Sequence, residues 1–399
     1  MQKKITADYI LPISSKPIKQ GVITLEEDGK IVSIQPIDAV DDGNIEKFEG
    51  VLIPGFINTH CHLELSHMKG KINSGSTLIP FISDVVSYRE FPEEQILEAI
   101  KLADEEMIRE GIVAVGDISN KLDTVKQKSN SPIRYYSFIE MFDFLQDSWA
   151  DKEFEKYLAV FQGHEDNNKN KKSCVPHAPY TVSTKLFQLI NDQNKKKSTV
   201  SIHNQETTAE NELFINKTGG FLDFYKGFKI PLDAFQATGN SSIHYAIQHM
   251  DPKQKTLFVH NTLSTEADIK AAHDWNKQVY WATCPNANLY IENRLPIYKN
   301  FINQHAKMTI GTDSLTSNWQ LSILDEIKTI AKFQSNVPIE TLLKWATLNG
   351  AEALSMDEEL GSIEVGKRPG INLLNLEIKE TNNEVRFNLK SDCQVKKIA

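Results

Sequence analysis

Leu52-Ile53-Pro54-Gly55-Phe56-Ile57-Asn58-Thr59-His60-Cys61-His62 decides the reading of this chain. Residues 52–59 form an apolar run of strand length, which ends in two histidines spaced two apart. In an extended strand such a pair points to the same face, so both imidazoles can reach one point in space. A single H-x-H is weak evidence, and its weight depends on what the rest of the chain places beside it.

Seven further strand-like runs follow: Ile112 to Asp117, Ile133 to Glu140, Cys174 to His177, Thr199 to His203, Thr256 to His260, Val279 to Thr283 and Met308 to Thr312. Helix-length amphipathic segments separate them. Glu93 to Arg109 carries Ile96, Leu97, Ile100, Ala103, Met107 and Ile108, and Thr265 with Asp268 has the spacing of a capping box. Repeated strand-then-helix units imply a parallel sheet. Eight units in roughly three hundred residues predict an α/β fold of the TIM (β/α)8 barrel type, and no G-x-G-x-x-G follows an early strand to favour an open doubly wound sheet.

Both chain ends read differently. Gly21 to Ile37 alternates around Asp28-Gly29 as a β-hairpin. Ile371 to Leu376, Val385 to Leu389 and Val395 to Ile398 are short strand-like runs, with Asn382-Asn383 as a turn.

The polar residues fall at corresponding places. His60 and His62 end the first strand, His177 follows the fourth, His203 ends the fifth, His260 ends the sixth and Asp313 ends the eighth. The carboxyl ends of barrel strands are where such folds build active sites. His67, His164, His244, His249, His273 and His305 lack strand-end placement and read as ordinary helix or loop residues. Imidazole and carboxylate ligands suit zinc, iron or manganese, and three or four protein ligands with an open position mark a catalytic site. Glu206, three residues after His203, can present a carboxylate beside a metal-activated water and act as a proton shuttle.

Composition narrows the partners. The formal charge of −9, with no Lys/Arg stripe, opposes a nucleic-acid backbone and favours a small-molecule substrate. Lys169 to Lys172 and Lys195 to Lys197 read as solvated loops. No run of eighteen apolar residues and no leader-like segment is present, so neither a membrane partner nor secretion is expected and a cytoplasmic location is. The four cysteines Cys61, Cys174, Cys284 and Cys393 form no C-x-x-C pair and read as reduced thiols. A homodimer is left open.

With these residues in view, the chain resembles the amidohydrolase superfamily in its branch of cyclic-amidine deaminases and chlorohydrolases. The resemblance runs through Pro54 to His62, Pro176-His177-Ala178-Pro179-Tyr180, His203-x-x-Glu206, Val259-His260, Cys284-Pro285-Asn286-Ala287-Asn288, Gly311-Thr312-Asp313-Ser314 and Gly361 to Lys367. It implies His60, His62, His203 and Asp313 as metal ligands, with Glu206, His260 and Asp313 as catalytic groups. The fourth strand ends in Val175-Pro176-His177 rather than the lysine of binuclear relatives, which implies a single divalent ion, zinc first. The resemblance also implies a small β-sandwich assembled from residues 1–52 and 358–399 around a barrel of residues 53–357. His62-Leu63-Glu64-Leu65-Ser66 and Glu206-Thr207 with Glu210 narrow it toward aminodeoxyfutalosine deaminases of menaquinone synthesis. Arg368-Pro369-Gly370 departs from the usual Ala-Asp pair in the β-module. Asn286-Ala287-Asn288 departs from a basic residue before Ser-Asn, which bears on substrate recognition.

The expected activity is deamination of an amino-substituted, nucleoside-like heterocycle. His177, Glu64 and Asn288 are the expected substrate contacts. The alternatives are hydrolysis of another C–N or C–Cl bond, or a non-catalytic scaffold of the same fold. The H-x-E with P-C-x-x-C design of cytidine deaminases is absent.

Overall fold

In the computed structural model, which describes residues 2–194, 198–381 and 384–399, the apolar run at residues 52–59 is divided at Gly55. Val51–Pro54 pairs antiparallel with Ile371–Leu374 and parallel with Tyr9–Ile10, whereas Phe56–Cys61 opens a parallel sheet. The expected single strand is therefore two. The cause is local packing: the Gly55 amide donates to the carbonyls of Pro369 and Gly370, and a β-carbon there would lie 2.4 Å from Val113 and 2.8 Å from the Pro369 carbonyl.

The parallel strands are β1 Phe56–Cys61, β2 Ile112–Ser119, β3 Arg134–Met141, β4 Lys171–Pro176, β5 Thr199–Asn204, β6 Lys255–His260, β7 Val279–Thr283 and β8 Lys307–Ile310. They form two four-stranded parallel sheets, β1 to β4 and β5 to β8, each with its strands in sequence order. The chain is thus of mixed α/β type with a strand for each of the eight expected. Hydrogen bonds also cross both junctions between the sheets. His203 N–H donates to the His177 carbonyl at 2.9 Å, and Ser173 Oγ donates to the Thr199 carbonyl at 2.6 Å. On the other side, Thr312 N–H and Asp313 N–H donate to the His60 carbonyl at 3.1 and 2.9 Å.

The helix Glu93–Arg109 forms as its periodicity predicts and buries Ile96, Ile100, Ala103 and Met107. Each isoleucine so placed stabilises the fold by about 1.5–3 kcal/mol. The helix Glu266–Trp275 carries the expected capping box, Thr265 and Asp268 each accepting from the other's backbone amide. Gly311 permits the approach of the segment after β8 to β1, because a β-carbon there would meet the His60 β-carbon at 2.9 Å and its backbone at 3.0 Å.

Both chain ends are β-structure. Gly21–Leu25 pairs with Ile31–Pro36 as the expected hairpin, and a five-stranded mixed sheet joins Val395–Lys397, Ile371–Leu374, Val51–Pro54, Tyr9–Ile10 and Ile18–Lys19. Glu377–Glu380 pairs with Val385–Asn388, a hairpin of which only the second strand is expected from the sequence. The turn expected at Asn382-Asn383 and the loop expected at Lys195 to Lys197 lie outside the described residues.

The solvated loop expected at Lys169 to Lys172 is not observed. Lys171 and Lys172 begin β4, the Lys172 ammonium donates to the carbonyls of Phe161 and His164, and that of Lys169 to the carbonyls of Ser129 and Ser131. Carbonyl groups at the ends of neighbouring elements hold these cations, which a reading by composition does not reveal. Among the described residues no helix is long and apolar enough to cross a membrane.

Candidate active site

The carboxyl ends of the parallel strands bring the expected residues together. The His60 and His62 Nε2 atoms are 3.2 Å apart, and they lie 3.5 and 3.3 Å from Asp313 Oδ1. The His203 ring centroid is 4.9 Å from that of His60 and 5.4 Å from that of His62. His60, His62 and His203 form one group with ligand atoms close enough to share an ion, and His60, His260 and Asp313 form another.

Backbone and side-chain contacts aim these groups. Asp117 accepts from Leu63 N–H at 2.8 Å and fixes the chain just past His62. Asp313 takes a left-handed backbone, φ 60°, while its Oδ2 accepts from Ser317 Oγ at 2.6 Å. His203 donates from Nδ1 to the His177 carbonyl at 2.8 Å, leaving Nε2 free. His260 donates from Nδ1 to Asn288 Oδ1 at 2.8 Å, so its Nε2 carries a lone pair and lies 3.7 Å from Glu206 Oε2.

Glu206 is 4% exposed, and Glu210 holds its position by accepting from the amides of both Gln205 and Glu206. Burial, then the nearby Asp313 and Glu210 carboxylates, pushes the Glu206 pKa well up. Burial lowers the His62 pKa to about 3, those of His177 and His260 to about 4, and that of His203 below the usual range. For Asp313 burial acts upward, but hydrogen bonding from His60 and the surrounding imidazoles outweigh it and hold the carboxylate ionised.

A pocket enclosing about 950 Å³ of empty space, its open mouth included, rises above this floor. His62, His177, His203, Glu206, His260 and Asp313 line its base, and Leu65, Leu78, Phe81, Phe142 and Phe224 are among its apolar walls. His177 faces the pocket and is oriented through Nδ1 by Thr181 Oγ1 at 2.7 Å. Glu64 and Asn288, the other expected substrate contacts, are not among the lining residues. Glu64 Oε2 accepts from the Asn120 and Lys121 amides and Asn288 Oδ1 accepts from His260, while Glu64 Oε1 and Asn288 Nδ2 make no hydrogen bond.

The lining residues that the sequence does not single out include Arg89, Asn120 and Glu140. Glu140 ends an apolar run at a strand's carboxyl end, the same signal that marks the histidines. Arg89, 3.5 Å from Glu64 Oε1, follows the helix Leu78–Tyr88 and has no local sequence signal.

A metal ligand must be unprotonated to bind, so these lowered histidine pKa values carry a prediction. Ordinary histidines begin to lose a metal to protons below their usual pKa of about 6.5. With His62 and His203 so shifted, affinity should fall by no more than about tenfold per pH unit from pH 7 to pH 5, at most one proton competing for each ion bound, measured by competition with a chelator corrected for its own protonation. A loss approaching about a hundredfold per pH unit would contradict it.

Comparisons with known proteins bear on the chain as a whole. The family model described as "Amidohydrolase family" matches residues 51–398. A Helicobacter pylori adenosine deaminase is 29% identical over 341 residues, covering 84% of this chain and 81% of its own length. An aminodeoxyfutalosine deaminase of Nitratiruptor sp. is 28% identical over 387 residues, covering 90% of each chain. The crystal structure of Helicobacter pylori aminofutalosine deaminase in complex with methylthio-coformycin superposes with a TM-score of 0.79 at 26% identity, covering 95% of this chain and 93% of that one. The chain, whose histidines, aspartate and glutamate converge as they do at the floor of one pocket, belongs to the amidohydrolase family.

Proposed function

We propose that this protein is a metal-dependent deaminase of an amino-substituted heterocycle on a nucleoside-like scaffold. The observation that carries this is the convergence of His60, His62, His203 and Asp313 with Glu206 and His260 beneath an apolar, partly aromatic wall. The chemistry of these donors suits a metal: burial keeps His62, His203 and His260 uncharged, Asp313 is a buried ionised carboxylate, and His60 Nδ1 is buried without a hydrogen-bond partner. His60, His62, His203 and Asp313 would hold a single divalent ion, and zinc is our first choice among zinc, iron and manganese. When bound, such an ion makes hydroxide available at neutral pH by lowering the pKa of water from about 15.7 to roughly 7.

The chain's own groups do the rest. Glu206, as a carboxylate, takes a proton from the attacking water and returns it to the ring nitrogen beside the carbon that bears the amino group. Its buried setting favours the protonated form needed for that return. His260, with its Nε2 lone pair turned inward, accepts a hydrogen bond from the attacking water, and Asp313 helps orient it. Water's oxygen forms the new bond to carbon, the C–N bond breaks, and ammonia leaves with the transferred protons. Phe81, Phe142 and Phe224 offer apolar surface to the rest of the substrate, while His177 contacts it from the floor.

The hydrogen bonds at both sheet junctions support a single closed eight-stranded barrel as the frame of this site. The shared core of Ile5, Ile10, Ile23, Ile31, Leu52 and Ile371 supports a composite β-sandwich from the two chain ends. We extend this proposed unit past residue 52, since Val51–Pro54 pairs within the five-stranded sheet. A small molecule is the proposed partner, with nucleic acid disfavoured by charge and a membrane by the lack of any long apolar run.

The test is ammonia release from adenosine, 5'-deoxyadenosine, methylthioadenosine and aminodeoxyfutalosine, compared by kcat/KM. The relatives' names make aminodeoxyfutalosine the first substrate to try. We expect turnover of at least one of the four, and an apolar 5' substituent should raise kcat/KM about tenfold or more over adenosine. Failure to deaminate any of them, by zinc-loaded enzyme, would overturn the reading.

A further inference from the structure

Glu140 stands at the carboxyl end of β3, one strand from β4 and two from β5, in register with Val175. It is 3% exposed and lines the pocket floor. Its carboxyl group is anchored on one side, where Asn120 Nδ2 donates to Oε2 at 3.3 Å and to the Glu140 carbonyl at 3.0 Å. The other oxygen, Oε1, is buried without a hydrogen-bond partner of its own and lies 3.4 Å from His203 Nδ1.

The Nδ1–H of His203 has one other acceptor, the His177 carbonyl at 2.8 Å, which also accepts the His203 backbone amide at 2.9 Å. That carbonyl engages both lone pairs with one residue. An acceptor so placed, 3.4 Å away and not otherwise hydrogen-bonded, can take a share of that N–H and so restrict the tautomer and the ring plane, and such groups raise the basicity of the ligating nitrogen.

We infer that Glu140 is a positioning residue for His203, holding its Nε2 toward the metal through Nδ1–H. This rests on the reading of His203 as a ligand. Glu140, His177 and His203 also lie close enough to suggest a second ion site. Hydrogen bonding argues against it, because the His203 Nδ1 that faces Glu140 carries the proton it donates to the His177 carbonyl.

The full-length protein is stripped, reloaded with Zn²⁺ and titrated against a chromophoric chelator, as wild type, Glu140→Gln, Glu140→Met and His203→Ala. Glu140→Met should weaken zinc binding by about 10- to 100-fold. Glu140→Gln, which keeps an acceptor oxygen, should lose less. KM at saturating zinc should stay within about twofold, and the visible bands of the Co²⁺-loaded Glu140→Met protein should shift. If Glu140→Met fails to fold, the Gln variant carries the comparison, with about a threefold or greater loss of affinity expected. Unchanged zinc affinity in a folded variant overturns the inference, and a KM raised about tenfold would then make Glu140 a substrate contact. Two zinc ions in the wild type and one in Glu140→Met would overturn it in favour of a second site. Full zinc affinity in His203→Ala would instead remove the ligand reading on which it rests.

Discussion

Glu206→Gln should retain its metal and its thermal stability while kcat falls by about 10²- to 10⁴-fold, the usual worth of a positioned general acid–base group. The structure separates these two effects. The Glu206 main chain is held independently of its carboxyl, with N–H donating to Glu210 Oε2 and the carbonyl accepting from Thr262 Oγ1 at 2.8 Å. The side chain lies with Oε2 3.7 Å from His260 Nε2. Glutamine has nearly the same volume and needs no new space, but its amide can neither take up nor release a proton at neutral pH. Metal content, melting temperature and single-turnover ammonia release on the same preparation distinguish a lost shuttle from a damaged site. If the folded, metal-loaded variant keeps more than about a tenth of wild-type kcat, Glu206 is not the shuttle.

How far the sequence discloses this site follows from which physical signals are local. The pair at His60 and His62 is legible because a strand's two-residue period and the carboxyl-end rule both act over a few residues, and the same holds for the Thr265 and Asp268 cap. The break at Gly55 is not legible, since the apolar run continues across it without a change of period. It is imposed by the carbonyls of Pro369 and Gly370, which are remote in the chain. Lys171 and Lys172 mislead for a related reason: a lysine tract has the composition of a loop, but its strand pairing with β3 is a tertiary event. Glu64 and Asn288 lie in motifs that point to the site, and only the fold shows Glu64 Oε2 turned to the Asn120 and Lys121 amides and Asn288 Oδ1 to His260. Glu140 becomes visible once the strand-end test applied to the histidines is extended to carboxylates.

Stripping the metal should cost more activity than any single substitution, taking turnover more than about 10⁴-fold down, and adding back a divalent ion should restore it. Glu206 and His260 can relocate protons, but neither can make hydroxide abundant at pH 7; lowering the pKa of water from about 15.7 to roughly 7 has by far the greater effect. The stripped protein should remain folded, because burial already keeps His62, His177 and His260 uncharged at neutral pH, with pKa values of about 3 to 4, so emptying the floor leaves these three imidazoles without charges to repel one another. It should nevertheless melt lower than the loaded form, since an ion that binds only the native state stabilises it by about 2.7 kcal/mol at a hundred times its dissociation constant. Reconstitution with zinc, iron and manganese in parallel, with bound metal and ammonia release measured together, separates occupancy from competence. Full turnover by protein containing less than about 0.05 equivalents of metal would break the mechanism at its base, while leaving the convergence of His60, His62, His203 and Asp313 to be explained by some other ligand.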